Sequence, residues 1–191
     1  MTMDYSSIQP PFDLKFREMS KADLVAYREW FHTALRDRTA ELARAVKNTT
    51  GFESWAPDLT PDSLGPLGDW FRRNAETRKR TDAESGEIKA RLSFPIEISG
   101  DELTNRTFSL AMDIGMYFGQ VIVKNVPGTK WDQIVKNPRF ADYGQPVIAG
   151  FGNLSLNPVR IAVTLAYAFT AGEQQGSRLR ALFDIWSAKR A

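Results

Sequence analysis

Residues Phe108 to Asn125, FSLAMDIGMYFGQVIVKN, form the longest mostly apolar stretch of the chain. They restrict its folds more than any other feature. Apolar residues fall at Phe108, Ala111, Ile114, Phe118, Val121 and Ile122. That is the three-and-four spacing of a helix face, not the alternation of a strand. Ser109, Asp113, Met116, Gln120 and Lys124 recur at the same spacing on another side. The stretch therefore reads as a mostly buried helix with one narrow polar edge turned to water or to a cleft. Gly115 and Gly119 stand four apart on one side. Glycine costs about 1 kcal/mol against alanine inside a helix, so the pair points to close approach by another element or to a backbone-lined ligand site. Ser99 and Glu102 have the spacing of a capping box, which starts the helix near Gly100. Val126-Pro127-Gly128 ends it.

Asp113 is the residue on this helix suited to acid–base work. In a partly apolar cleft its carboxyl would titrate high. The plainer reading is a polar-edge carboxylate that is solvated or paired with an arginine.

Composition excludes several chemistries. The 191 residues include no cysteine and a single histidine, His32. Disulfides, thiolate nucleophiles, cysteine-ligated metals, His-rich metal sites and a Ser–His–Asp triad fall away together. No metal or other cofactor is expected. With 42% hydrophobic residues the chain can bury a core, yet no apolar run approaches the ~20 residues of a membrane helix. MTMDYSSIQPPFD has neither the basic region nor the apolar core of a signal peptide. A cytoplasmic protein without membrane contact is the expectation. A net charge of only +2 lacks the strong basic bias of a nucleic-acid binder.

Along the chain, Phe12, Leu14 and Phe16 alternate with charges after Pro10-Pro11, as in a short strand or extended arm. Ser20 with Asp23 opens a long helix whose buried stripe includes Leu24, Tyr27, Phe31, Leu35 and Leu42; Asn48 to Gly51 ends it. A loop carries Trp55 and Pro57, and Thr60-Pro61-Asp62 starts the next helix. That helix leads into a basic run, Arg72, Arg73, Arg78, Lys79 and Arg80, which is either a solvated helix end or a weak anionic-ligand patch. Thr81 to Gly86 reads as a linker. Leu92, Phe94, Ile96 and Ile98 read as a strand that Pro95 places at an edge. Strands are expected at Lys130–Val135 and Val147–Phe151. Asn157-Pro158 then opens a core helix to Ala171, and Ser177 caps an amphipathic last helix. The sum is an α+β fold: one helix-rich domain, with a small, mainly antiparallel sheet packed on the central helix. An N-terminal helical hairpin occupies about residues 20–80 and a sheet-containing core about 88–191.

Met116-Tyr117-Phe118-Gly119-Gln120-Val121-Ile122, Trp131, Gly144-Gln145-Pro146-Val147 and Leu156-Asn157-Pro158 together resemble a group of uncharacterised bacterial proteins. The segments KFREMSKADLVAYREWF and DLTPDSLGPLGDWF are similar too. The resemblance covers most of the chain and is loosely immunity-protein-like. It implies no established activity and carries over no catalytic residue. Its members commonly carry Glu where this chain has Gln120, so chemistry depending on a carboxylate there would be missing.

Three functions compete. The first is a protein-binding module, such as a toxin-neutralising immunity protein. It rests on the lack of catalytic motifs and on five Trp and five Tyr, types that favour interfaces. Exposure of Trp55 and Tyr143 would mark the surface. The second is an enzyme using Asp113 with Asp132 or Asp142 beside Lys124. The third is an anion or nucleic-acid binder through Arg72–Arg80. The expected partner is another protein.

Overall fold

The computed structural model describes residues 4–91 and 97–189. Among these, six α-helices and five short strands form a helix-rich α+β domain. α1 (Lys21–Lys47) begins at a capping box: the Ser20 hydroxyl accepts from the Asp23 amide, and the Asp23 carboxylate accepts from the Ser20 amide. A single 3₁₀ turn, Pro61–Ser63, capped by Thr60, leads into α2 (Leu64–Asn74). β1 (Thr77–Lys79), α3 (Asp82–Arg91) and β2 (Asp101–Leu103) form a small lobe in which β1 and β2 pair antiparallel, Arg78 opposite Glu102. α4 (Asn105–Asn125) is the central helix. β3 (Lys130–Gln133), β4 (Pro146–Phe151) and β5 (Leu154–Leu156) make an antiparallel sheet in that order. α5 (Pro158–Thr170) and α6 (Arg178–Ser187) complete the chain.

One apolar core runs from Leu42 and Val46 through Leu67, Trp70 and Phe71 to Ile114, Phe118, Ile148, Ala166 and Phe183. A smaller one joins Tyr27, Phe31, Met112 and Met116 to the arm residues Phe12 and Phe16. α4 sits between α1 and α5. Its two glycines explain how it fits there. A Cβ on Gly115 would stand 2.5 Å from the Val159 Cα at the start of α5, and one on Gly119 would overlap the Trp131 ring of β3. Nothing larger than hydrogen lets the backbone of α5 approach this closely.

Several boundaries differ from the sequence reading. α4 starts at Asn105, with Thr104 accepting from the Thr107 amide, because Asp101–Leu103 are drawn into the ladder with β1. The Ser99 hydroxyl instead takes the Asp101 amide. Thr81 to Gly86 is no linker. The Thr81 hydroxyl accepts from the Glu84 amide and Glu84 accepts from the Thr81 amide, a capping box that starts α3. Residues 12–17 of the arm join no ladder, and β5 adds a strand beyond Gly152-Asn153. Ser177 precedes α6 without a side-chain cap. The expected strand at Leu92–Ile98 falls largely on residues 92–96, outside the described residues.

Candidate functional site: a buried Asp113–Arg38 centre and its strap

Asp113 lies in the middle of α4 with its side chain wholly buried. It neither faces water nor lines a cleft. Arg38 reaches it from α1: Nε donates to Oδ1 at 2.8 Å and Nη2 to Oδ2 at 2.7 Å. This is the two-point fork that a planar guanidinium makes with a carboxylate. The Tyr5 hydroxyl donates to Oδ2 at 2.6 Å. Its oxygen in turn lies 2.7 Å from Ser109 Oγ and 3.1 Å from Arg38 Nη2. Ser109 Oγ also accepts the Ile8 amide at 2.6 Å. Ser109 and Asp113 stand one turn apart on the same edge of α4, so residues 5–8 lie along that edge as a strap.

The electrostatics follow from burial. Burial is the largest influence on Asp113 and pushes its carboxyl above the usual range, while the Arg38 fork and the Tyr5 hydroxyl pull it down. For Arg38, burial alone would lower the pKa, but the contacts with Asp113 and Tyr5 outweigh it and hold the guanidinium charged. Burial and the neighbouring carboxylate push the Tyr5 phenol well above its ordinary value, so it remains a donor. Tyr5 was not among the residues that stand out in the sequence. Its only signal is a tyrosine beside an acid, followed by two serines.

The groups expected beside Asp113 have other partners. Asp142 is buried elsewhere, where Asn157 Nδ2 donates to it at 2.9 Å and Arg160 pairs with it at 2.8 Å. Asp132 is exposed on β3 and accepts its neighbour's amide. Lys124 is eleven residues along α4, about 16 Å by helix rise, and donates to the Asp58 carbonyl. Among the described residues no group of three His, Cys, Asp or Glu side chains could hold a metal. His32 lies on the exposed side of α1, edge-on to Trp131, and burial together with Arg28 lowers its pKa.

The basic run does not form one patch. Arg72 and Arg73 are exposed at the end of α2, and Arg73 lies over the Phe52 ring. Arg78 is in β1, where it forks onto Glu84 and also reaches Glu102. Lys79 pairs with Asp101, and Arg80 with Glu102. Three of the five charges are thus answered by carboxylates of the lobe that contains them. Arg72 and Arg73 lie at a helix end as expected, whereas β-pairing brings Asp101 and Glu102 to the other three and the start of α3 supplies Glu84.

Trp55 is also not a surface residue. It is buried, its indole N–H donates to the Ser63 carbonyl at 3.0 Å, and its ring meets Tyr117 edge-on. A tryptophan in a loop looks available from sequence, yet here the loop folds it under the 3₁₀ turn. Tyr143 is half-buried in a surface groove of about 330 Å³ between the arm (Lys15, Phe16, Arg17) and the 134–145 loop. Four exposed large apolar residues lie on the segments that meet at this corner: Leu14 on the arm, Val25 at the start of α1, Val135 and Phe140 on the 134–145 loop. Among the described residues, only Leu154 and Ile185 of this kind lie elsewhere. The corner is tied together by Arg17 Nε donating to the Pro138 carbonyl at 3.1 Å and Gln133 Nε2 donating to the Leu24 carbonyl at 2.8 Å.

No described helix is long and apolar enough to cross a membrane. Comparison with protein families, curated proteins and solved structures gives no match for this chain.

Proposed function

We propose that this chain is a protein-binding module that engages its partner through the corner between the arm and the 134–145 loop. A toxin-neutralising, immunity-type role in the bacterial cytoplasm is its specific form, in line with the sequence resemblance. The observation that supports it is that Leu14, Val25, Val135 and Phe140, 41–56% exposed, all lie on the segments that meet at this corner. Exposed apolar side chains that cluster, unlike single scattered ones, mark interaction sites. Arg17, Lys136 and Arg139 are exposed on the same segments, against Glu18 and the Asp13 that pairs with Lys15. The surface suits a partner with an apolar centre and an acidic rim. An Asp113 enzyme and an Arg72–Arg80 anion binder have less support, because Asp113 is closed off by Arg38 and Tyr5 and three of those cations are already paired.

Photo-crosslinking tests the corner. A benzophenone amino acid at position 140 should give an adduct with one defined protein, and the same group at exposed position 164 on α5 should give none. Growth arrest by that protein alone, relieved by co-expression of this chain, would support neutralisation. Equal adducts at both positions, or none at 140, would remove the corner from consideration.

A further inference from the structure

The groove that holds the strap has the properties of a peptide-recognition site. Among the described residues, no backbone–backbone hydrogen bond is made by residues 4–8. Side chains of α1 and α4 read that backbone instead. Glu41 accepts the Ser6 amide at 2.5 Å, Arg38 Nη2 donates to the Ser6 carbonyl at 2.8 Å, and Ser109 accepts the Ile8 amide at 2.6 Å. Arg44, one further turn along α1, takes the Asp4 carboxylate and also pairs with Glu41. Arg38, Glu41 and Arg44 recur every three residues on α1, while Ser109 and Asp113 are four apart on α4, so the readers line two facing helix edges. The one side chain that enters deeply is Tyr5, whose ring packs on the main core and whose hydroxyl reaches Asp113. Ser6 and Ser7 are exposed, and Ile8 is half-buried. Pro10 and Pro11 follow, and they stop the strap from continuing as a regular ladder.

We propose that the groove between α1 and α4 is a recognition site for an extended, tyrosine-bearing peptide segment, filled in cis by residues 4–8 as a replaceable occupant. The fitting segment has a carboxylate, a tyrosine next to it, two residues free to vary and then an aliphatic residue. Most of the affinity comes from backbone groups and one phenol, as in modes where a groove reads main chain and one pocket reads a side chain. The strap in cis has a high effective concentration and screens the site from weak competitors. A partner segment displaces it only when it supplies the phenol to Asp113 and further contacts beyond. This inference concerns the 38–44 face of α1 and does not depend on the proposed corner.

The test uses the full chain carrying Tyr5→Ala and a fluorescein-labelled heptapeptide with the sequence of residues 4–10, followed by anisotropy. The variant should bind the peptide at least ten-fold more tightly than the native chain does. A peptide with Phe in place of Tyr should lose most of that binding, as should Ser109→Ala added to the Tyr5→Ala chain. Tyr5→Phe, which keeps the ring in its pocket, should bind less peptide than Tyr5→Ala. A Tyr5→Ala chain with native helical content and no saturable binding would overturn the proposal. So would one that loses its cooperative melt, since the strap would then be a fixed part of the fold.

Discussion

Arg38 and Arg78 each hold a carboxylate in a two-nitrogen fork, yet the two clusters contribute differently. Arg38 and Asp113 are 14% and 0% exposed at their side chains, whereas Arg78 and Glu84 are 38% and 37% exposed. In the first, water is excluded and every lone pair must be answered from within, which draws in Tyr5, Ser6 and Ser109. In the second, solvent shares the work, and the fork organises a local turn between β1 and α3. The difference teaches that geometry alone does not set the worth of an ion pair; desolvation makes a buried pair costly to break and an exposed one nearly dispensable.

The largest expected effect is at the buried pair. Asp113→Ala leaves Arg38 buried without its partner and should lower unfolding stability by about 3–5 kcal/mol, read by chemical denaturation. Replacing both partners by apolar residues, Arg38→Met with Asp113→Leu, should recover most of it. If Asp113→Ala falls within the error of the native midpoint, the contrast between the two clusters collapses. Arg38→Lys comes next, at about 2 kcal/mol, because one ammonium cannot span both Asp113 oxygens and the Ser6 carbonyl. Tyr5→Phe should cost about 1 kcal/mol, with faster hydrogen exchange at the Ile8 amide as the more sensitive readout; unchanged exchange there would mean that the phenol does not hold the strap.

The smallest effect is at the exposed fork and shows as pH dependence. The Arg78 fork, with the Thr81 amide, holds Glu84 down at about 2 against an ordinary 4.5. A carboxylate lowered in the folded state stabilises above its ordinary value, and that share is lost as pH falls through the folded one. Glu84→Gln should therefore trail the native chain slightly at neutral pH and converge with it between pH 4.5 and about 2. Asp113, raised by burial, has the opposite sign: through this group, acidification toward the ordinary carboxylate range favours the fold. A profile for Glu84→Gln that stays parallel to the native one would show that the exposed fork does not operate in solution.

Much of the local structure is legible in the residues themselves. Ser20 with Asp23, Thr60-Pro61 and Asn157-Pro158 start helices where expected, because capping depends on groups three residues apart. The same rule applied to Thr81 and Glu84 would have found α3, but the polar composition of that segment reads as a loop. α4 starts later than the Ser99–Glu102 spacing suggests, because Asp101–Leu103 pair with a strand more than twenty residues earlier. Of the site, Asp113 and its pairing with some arginine were open to a sequence reader. Arg38 lies 75 positions away and Tyr5 has no periodic context, so nothing local joins either of them to Asp113.

By itself, the sequence determined that α4 is a helix, that its glycines demand a close neighbour and that the chain lacks the cysteine and histidine sets of thiolate and His-rich metal chemistry. Those properties follow from spacing and composition, which are local. Only the tertiary structure decided that the polar edge of α4 is sealed by α1 and the strap, that three of the basic-run charges are answered by carboxylates, that Trp55 is buried and that the arm meets the 134–145 loop. Burial and pairing depend on which distant segments meet, and desolvation then fixes whether the same charge is an anchor or a solvated surface group.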